Sequence, residues 1–422
     1  MAIIDINSKN KQLSWVIFKN ILTQEQEGKP FMRTLRKGSL YGWYTQAQSF
    51  RMWFKEGKQE SSFYKNLDNN YLNQSAYNCP FAYCSMMAEM LSSTIKQQAE
   101  KDIETANSIK LSAVLITLPA IADFFQYFFS SKVKIEMKCL GNKSYEIEFS
   151  GNVSLYYLTN LVQVFCLIQA IEDKNIYIDL TPSALTKYAK NLIAIDAPYF
   201  IVYLFLSRCV PDFDSFKIVK PMFEKNGVVL CYGNTQKQRY DAIKKFVQGG
   251  KVLQDIGCGE LYYTRNLSPM YEKIYAWDTD EVIQERNKVF LERKGILNTY
   301  LMPSFNEQAI ANVNSGDDIL ITEMIEHMPQ KEAEKLLTSL SSCPFRRLII
   351  TVPNKKFNQF YKMKNEFRHP DHHWEPDFDE IKKIISGIFH ESNFHVKINP
   401  IGDGIDGIHI STLIVIDPKE NL

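Results

Sequence analysis

The chain has 422 residues, enough for two domains with cores of their own. Lys and Arg number 49 against 48 Asp and Glu, so the formal net charge is +1 and charge alone names no partner. Residues 1–240 carry 27 basic and 21 acidic side chains and residues 241–422 carry 22 and 27, imbalances too small to establish a nucleic-acid partner.

Residues 1–225 are expected to form a mostly helical domain. The start, MAIIDINSKNK, lacks the charged-then-apolar order of a signal sequence. The basic residues of the first fifty positions read as a solvated face. The aromatic stretch YGWYTQAQSFRMWF (41–54) reads as a packing face in preference to a base-stacking surface. Segments 85–107 and 155–172 carry apolar residues at helical spacing without Gly or Pro. Residues 111–131 are the one membrane candidate. Pro119 and Asp123 interrupt them, so two core helices are expected and no membrane association. KVKIEMKCLGNKSYEIEFS (132–150) alternates around Gly-Asn and predicts a β-hairpin. The eight cysteines form no C-x-x-C pair and read as reduced, mostly buried thiols of a cytoplasmic protein.

From about 226 to 422 the pattern becomes α/β. TQKQRYDAIKKFVQ (235–248) predicts an amphipathic helix that stops at Gly249-Gly250. Strands are expected at 251–257, 273–278, 317–324, 347–354 and 411–417, with helices at 280–294, 329–342 and 376–389. Such alternation predicts a parallel sheet covered on both faces, with ligands at the carboxyl ends of the strands.

Three features carry chemistry. Asp255-Ile-Gly-Cys-Gly259 follows the first strand, where glycines allow a sharp turn and close approach to a ligand. Asp278 ends the next strand, where a carboxylate accepts ribose hydroxyls. Strand, loop, helix, strand and acid in this order form the class I (Rossmann-like) methyltransferase pattern for S-adenosylmethionine. The third glycine of a dinucleotide fingerprint is absent. The third feature is Glu323-Met-Ile-Glu-His327 at the end of the 317–324 strand. All seven histidines lie between 327 and 409, and one cluster, R-H-P-D-H-H, occupies 368–373. Two carboxylates and an imidazole at i, i+3 and i+4 converge if the segment is helical, and such a set suits Mg²⁺ or Mn²⁺. From the residues alone, a helix-surface ion pair explains the same spacing.

Five stretches, in order, resemble the small-RNA 3′-terminal ribose 2′-O-methyltransferases, which act on plant microRNAs, animal piRNAs and bacterial RNAs under repair. They are NTQKQRY (234–240), DIGCG (255–259), EMIEH (323–327), TVPNKKFN (351–358) and RHPDHHWE (368–375). The chain departs from the family at Pro303-Ser304 and at Pro376-Asp377. The resemblance implies catalytic metal ligands at Glu323, Glu326, His327 and His372, with His369 and His373 flanking them off the family's positions. It implies cofactor contacts from Asp255, Gly257, Cys258, Gly259, Asp278 and Ser304. It implies substrate contacts from Arg239, Asn354, Asn358 and Arg368. The expected reaction is metal-dependent methyl transfer from S-adenosylmethionine to the 2′-hydroxyl of an RNA 3′ end whose 2′- and 3′-hydroxyls are both free. The alternatives are a methyltransferase for a small vicinal diol and a non-catalytic RNA-binding scaffold. The resemblance does not reach residues 1–225, which are expected to bind the RNA body or an RNA-processing or RNA-repair protein.

Overall fold

The computed structural model describes residues 2–19, 27–35, 38–56, 79–173, 178–224, 227–362 and 367–419. The chain divides into two compact units, Met1–Met222 and Phe223–Leu422, three residues short of the expected boundary.

The first unit is built on a seven-stranded antiparallel sheet of order β2-β3-β4-β1-β5-β7-β6. Its strands are β1 (Ile3–Ser8), β2 (Phe31–Leu35), β3 (Gly38–Gln46), β4 (Ser49–Glu56), β5 (Thr105–Leu115), β6 (Val133–Gly141) and β7 (Ser144–Val153). Among the described residues helices outnumber strands in this unit, but a sheet this size was not expected. Of its strands, only the β6–β7 hairpin is legible in the sequence. There Asn142 and Lys143 both take positive φ, as the tight turn between twisted strands requires. The aromatic stretch 41–54 is the β3–β4 hairpin. Tyr44 and Phe50 are buried in it and Tyr41 stacks on Trp53 at 5.3 Å, a packing role. The expected helix over 85–107 is instead two helices, Pro80–Met90 and Ser92–Lys96, followed by the start of β5.

The segment 111–131 also departs from expectation. It is the end of β5 and one helix, Ala120–Phe129, because its first residues pair between β1 and β7. The helix Leu155–Glu172 forms where expected. Ser154 caps it, and both carboxylate oxygens of buried Asp102 accept its first N–H groups, from Leu155 and Tyr156, at 2.8 Å. Among the described residues it alone is long and apolar enough to cross a membrane, and most of it is buried inside this unit.

The second unit is an eight-stranded sheet of order β11-β10-β9-β12-β13-β15-β14-β8. The strands are β8 (Val228–Val229), β9 (Gly250–Ile256), β10 (Tyr271–Trp277), β11 (Thr299–Met302), β12 (Asp317–Thr322), β13 (Arg347–Pro353), β14 (Phe394–Ile405) and β15 (Ile408–Pro418). The five from β9 to β13 are parallel, and β15 lies antiparallel between β13 and β14. Counted from β9 the order is 3-2-1-4-5-7-6 with the seventh strand reversed, the class I methyltransferase arrangement. Every residue of β12 is buried. Ile319 and Ile321 pack with Leu337 and Ile381 on one face, while Leu320 packs with Ile243 and Leu267 on the other. Burial on both faces accounts for the apolar centre Ile319-Leu320-Ile321, while the buried Asp318 at the strand's start is paired with Arg346 at 2.5 Å.

Helices Glu281–Lys294, Gln330–Ser341 and Phe378–Ile388 occupy the expected positions. The helix expected over 235–248 ends earlier, as Thr235–Ile243. Asp377 caps the Phe378–Ile388 helix and forms a reciprocal box with Glu380, which gives the Pro376-Asp377 pair a local structural role. The chain order reverses between β9 and β12, and a ligand cleft is expected at their carboxyl ends.

Candidate functional site

A cleft of about 950 Å³ opens at those strand ends, lined among others by Gly257, Gly259, Asp278, Ser304, Phe305, Glu323, Met324, His327 and His373. One side of it starts where β9 stops. Gly257 and Gly259 turn the chain at φ of 73° and 49°. The N–H groups of Gly257 and Cys258 donate to the Trp277 carbonyl at 2.9 and 3.0 Å. Asp278 accepts from the Gly259 N–H at 2.9 Å and from the Asp280 N–H at 3.0 Å, and Asp280 caps the helix Glu281–Lys294. Each Asp278 oxygen therefore has a lone pair left for a hydroxyl.

Two expected cofactor residues face elsewhere. Asp255 is fully buried behind the loop, where Thr264 donates to one oxygen and the other has no partner. Burial pushes its carboxyl up to about 6. The Cys258 side chain packs with Leu261, Ala276 and Leu291, and burial raises its thiol. Both residues shape the loop instead of lining the cleft.

The other side starts at the end of β12. Glu323 takes φ of 49°, and residues Ile325–His327 form a single 3-10 turn in place of the expected α-helical spacing. Met324 lies against the cofactor loop: a Cβ built on Gly257 would sit 2.3 Å from its Cγ. The turn drives Glu326 inward. Its side chain is 0% exposed and neither carboxylate oxygen has a hydrogen-bond partner. Burial, and then the charge of Glu323, push its carboxyl well above the usual range.

One ligand atom each from Glu326, His327 and His372 lie within 4.8 Å of one another. The rings of His327 and His372 meet edge-on, with centroids 4.6 Å apart. Burial first, then His372 and His369, lower the His327 pKa and favour the neutral imidazole that a metal requires. A buried carboxylate without partners, beside two imidazoles, is what a divalent cation would complete, so this donor set fits such an ion.

Glu323 stands outside this group of three. Its Oε2 accepts from Arg239 Nη1 at 3.0 Å, while its Oε1 is buried without a partner. Arg239 also donates to the Tyr263 hydroxyl at 3.0 Å. Three of the four expected ligands thus converge, and the fourth is held beside them by an ion pair. His369 is exposed, with its ring 6.0 Å from that of His327, and its Nδ1 lies 3.4 Å from Asp371. His373 lines the cleft.

Asn354, Asn358 and Arg368 have polar groups engaged by the protein itself. Asn354 donates to the His409 carbonyl at 3.0 Å and accepts from the Lys356 N–H at 3.1 Å. Arg368 donates to Asn358 Oδ1 and to the Asn354 carbonyl, each at 2.6 Å. Asn358 donates in turn to Glu375 at 2.6 Å. These side chains brace the loop that carries His372. Sequence reasoning missed Glu375, a buried acid three residues after the candidate ligand His372. The question of what orients that imidazole would have found it.

A family model described as the Hen1 N-terminal domain matches residues 3–227. The chain belongs to the Hen1 family. The Hen1-family chain is 26% identical over 185 residues to a small RNA 2′-O-methyltransferase of Xenopus tropicalis, covering 40% of this chain and 49% of that protein. It is 23% identical over 214 residues to the Gallus gallus protein of the same description, covering 46% and 56%. The chain thus spans about half the length of the curated relatives it matches. A chain in the solved structure of the Pnkp1/Rnl/Hen1 RNA repair complex has the same fold. The TM-score is 0.78 at 23% identity, over 98% of this chain and 100% of that one.

Proposed function

We propose that this chain uses a divalent metal ion to transfer the methyl group of S-adenosylmethionine to the 2′-oxygen of the ribose at an RNA 3′ end. The observation that carries the reading is Glu326, a carboxylate with two unpartnered buried oxygens, set between His327 and His372 beside the cleft that Gly257, Asp278 and His327 share. The names of the family's curated members support the RNA ribose as substrate.

In this reading the backbone of Gly257–Gly259 receives the methionine end of the cofactor. Asp278 accepts its ribose hydroxyls, and Ser304 with Phe305 borders the adenine. Glu326, His327 and His372 would hold the ion, with the free Oε1 of Glu323 beside them. When bound, the ion supplies Lewis acidity to the two neighbouring hydroxyls of a terminal ribose. Two imidazoles make Mn²⁺ at least as good an occupant as Mg²⁺. The 2′-oxygen forms its bond to the methyl carbon as the carbon–sulfur bond breaks, and its proton leaves to solvent. An internal nucleotide offers no free 3′-hydroxyl, which explains selection of an end. The first unit is the proposed contact for an RNA-repair partner, since a relative of the same fold was solved in such a complex.

The test is methyl transfer to RNAs that differ only at the 3′ terminus. A 2′,3′-diol end should be methylated and become resistant to periodate. Equal transfer to a 3′-phosphate end refutes the end-recognition mechanism.

A further inference from the structure

His372 differs from Glu323, Glu326 and His327 in how it is held. Those three follow the end of β12 directly, whereas His372 lies in the stretch 367–377 that leads into the helix Phe378–Ile388. Two bonds clamp that stretch to the ligand turn: the His373 N–H donates to the Glu326 carbonyl at 2.9 Å, and Trp374 Nε1 donates to the Ile325 carbonyl at 3.0 Å. They place the main chain but leave the imidazole free to choose its tautomer.

Glu375 removes that choice. Its side chain is 0% exposed and that of His372 is 8% exposed. Three donors converge on its two oxygens. Oε1 lies 2.6 Å from both His372 Nδ1 and the Arg368 N–H, and Oε2 accepts from Asn358 Nδ2 at 2.6 Å. The Arg368 N–H and Asn358 Nδ2 can only donate, so they hold Glu375 as an acceptor; the proton shared with His372 then belongs to Nδ1, and Nε2 is the ring nitrogen turned away from Glu375.

We propose that Glu375 is a positioning residue: it fixes His372 as the Nδ1–H tautomer and presents Nε2 to the ion before the ion arrives. The same carboxylate joins this ring to Asn358 and Arg368, so the stretches 354–358 and 368–375 act on the metal site as one braced piece. The proposal rests on the metal-dependent reading above. Loss of such an outer partner typically lowers metal affinity by about 10–100-fold.

Two measurements test it. Nitrogen NMR of histidine-labelled, metal-free wild-type protein reports the tautomer directly, and His372 should be the Nδ1–H form. Mn²⁺ titration followed by electron paramagnetic resonance should show an affinity about 10–100-fold weaker in Glu375→Gln. Methyl transfer by that variant should return toward the wild-type maximum once Mn²⁺ exceeds the new dissociation constant. A dominant Nε2–H tautomer overturns the proposal, and this arm stands even if the variant fails to fold. A folded variant with unchanged Mn²⁺ affinity also overturns it. Wild-type protein that binds no Mn²⁺ overturns the metal reading and this proposal together.

Discussion

Glu326→Gln should make the metal-free protein more stable while abolishing metal binding. In chelator the wild-type protein carries a fully buried carboxyl with no hydrogen-bond partner. Its pKa is held well above the usual carboxylate range by burial and then by Glu323. A raised carboxyl binds more protons folded than unfolded. Stability is therefore full below the unfolded value of about 4.3 and falls as pH climbs toward the folded pKa. Gln mimics the protonated form, so the two proteins should melt together at about pH 4 and diverge as pH rises.

Gln keeps the cost of an unsatisfied neutral group, about 1–3 kcal/mol, and removes only the further cost of the charge. Taking about 2 kcal/mol for that further cost, and about 2–4 °C per kcal/mol for a unit of this size, the variant should melt roughly 4–8 °C above wild type by about pH 8. Mn²⁺ should reverse the order. At a hundredfold excess over its dissociation constant it adds about 2.7 kcal/mol to wild type and nothing to the variant. Calorimetric melts in chelator and in Mn²⁺ across this pH range decide the matter. A variant that melts below wild type throughout the chelator series refutes the uncompensated carboxylate.

Replacing Asp278 by Ala should weaken S-adenosylmethionine by about 1–3 kcal/mol, read by titration calorimetry, and unchanged affinity removes Asp278 from the cofactor site. Gly257→Ala should cost about 1–3 kcal/mol of stability in urea denaturation, since it combines a positive φ with a Cβ 2.3 Å from Met324. Chelator should abolish methyl transfer to RNA, and added Mn²⁺ should restore it at least as fully as Mg²⁺. Full activity after exhaustive chelation rules out the metal-dependent mechanism.

The second unit was largely legible because its strands are buried on both faces. VLQDI, ILIT and LIITV are short segments rich in branched apolar residues that lead into glycine, acid or asparagine, so strand and functional loop announce each other. β11 has only four residues, and β14 shifts register between Ile401 and Gly404, so neither has a clean pattern. The first unit hid its sheet. β1 pairs with β4 and β5, strands distant in sequence, and no local period records such a partnership.

At the site, the resemblance pointed to the three side chains that converge, Glu326, His327 and His372. It did not reveal the Arg239–Glu323 pair or the Glu375 brace. Both join residues through space, and an isolated buried acid looks like any other in a sequence.

The contact between Gly257 and Met324 binds two motifs into one unit of inheritance. One motif supplies a side chain and the other supplies the absence of one. Any larger residue at 257 pushes on the position between Glu323 and the turn that aims Glu326 and His327. A descendant chain could enlarge position 257 only by changing position 324 in step. Drift in the cofactor loop is thereby restrained by a motif that shares no residue with it.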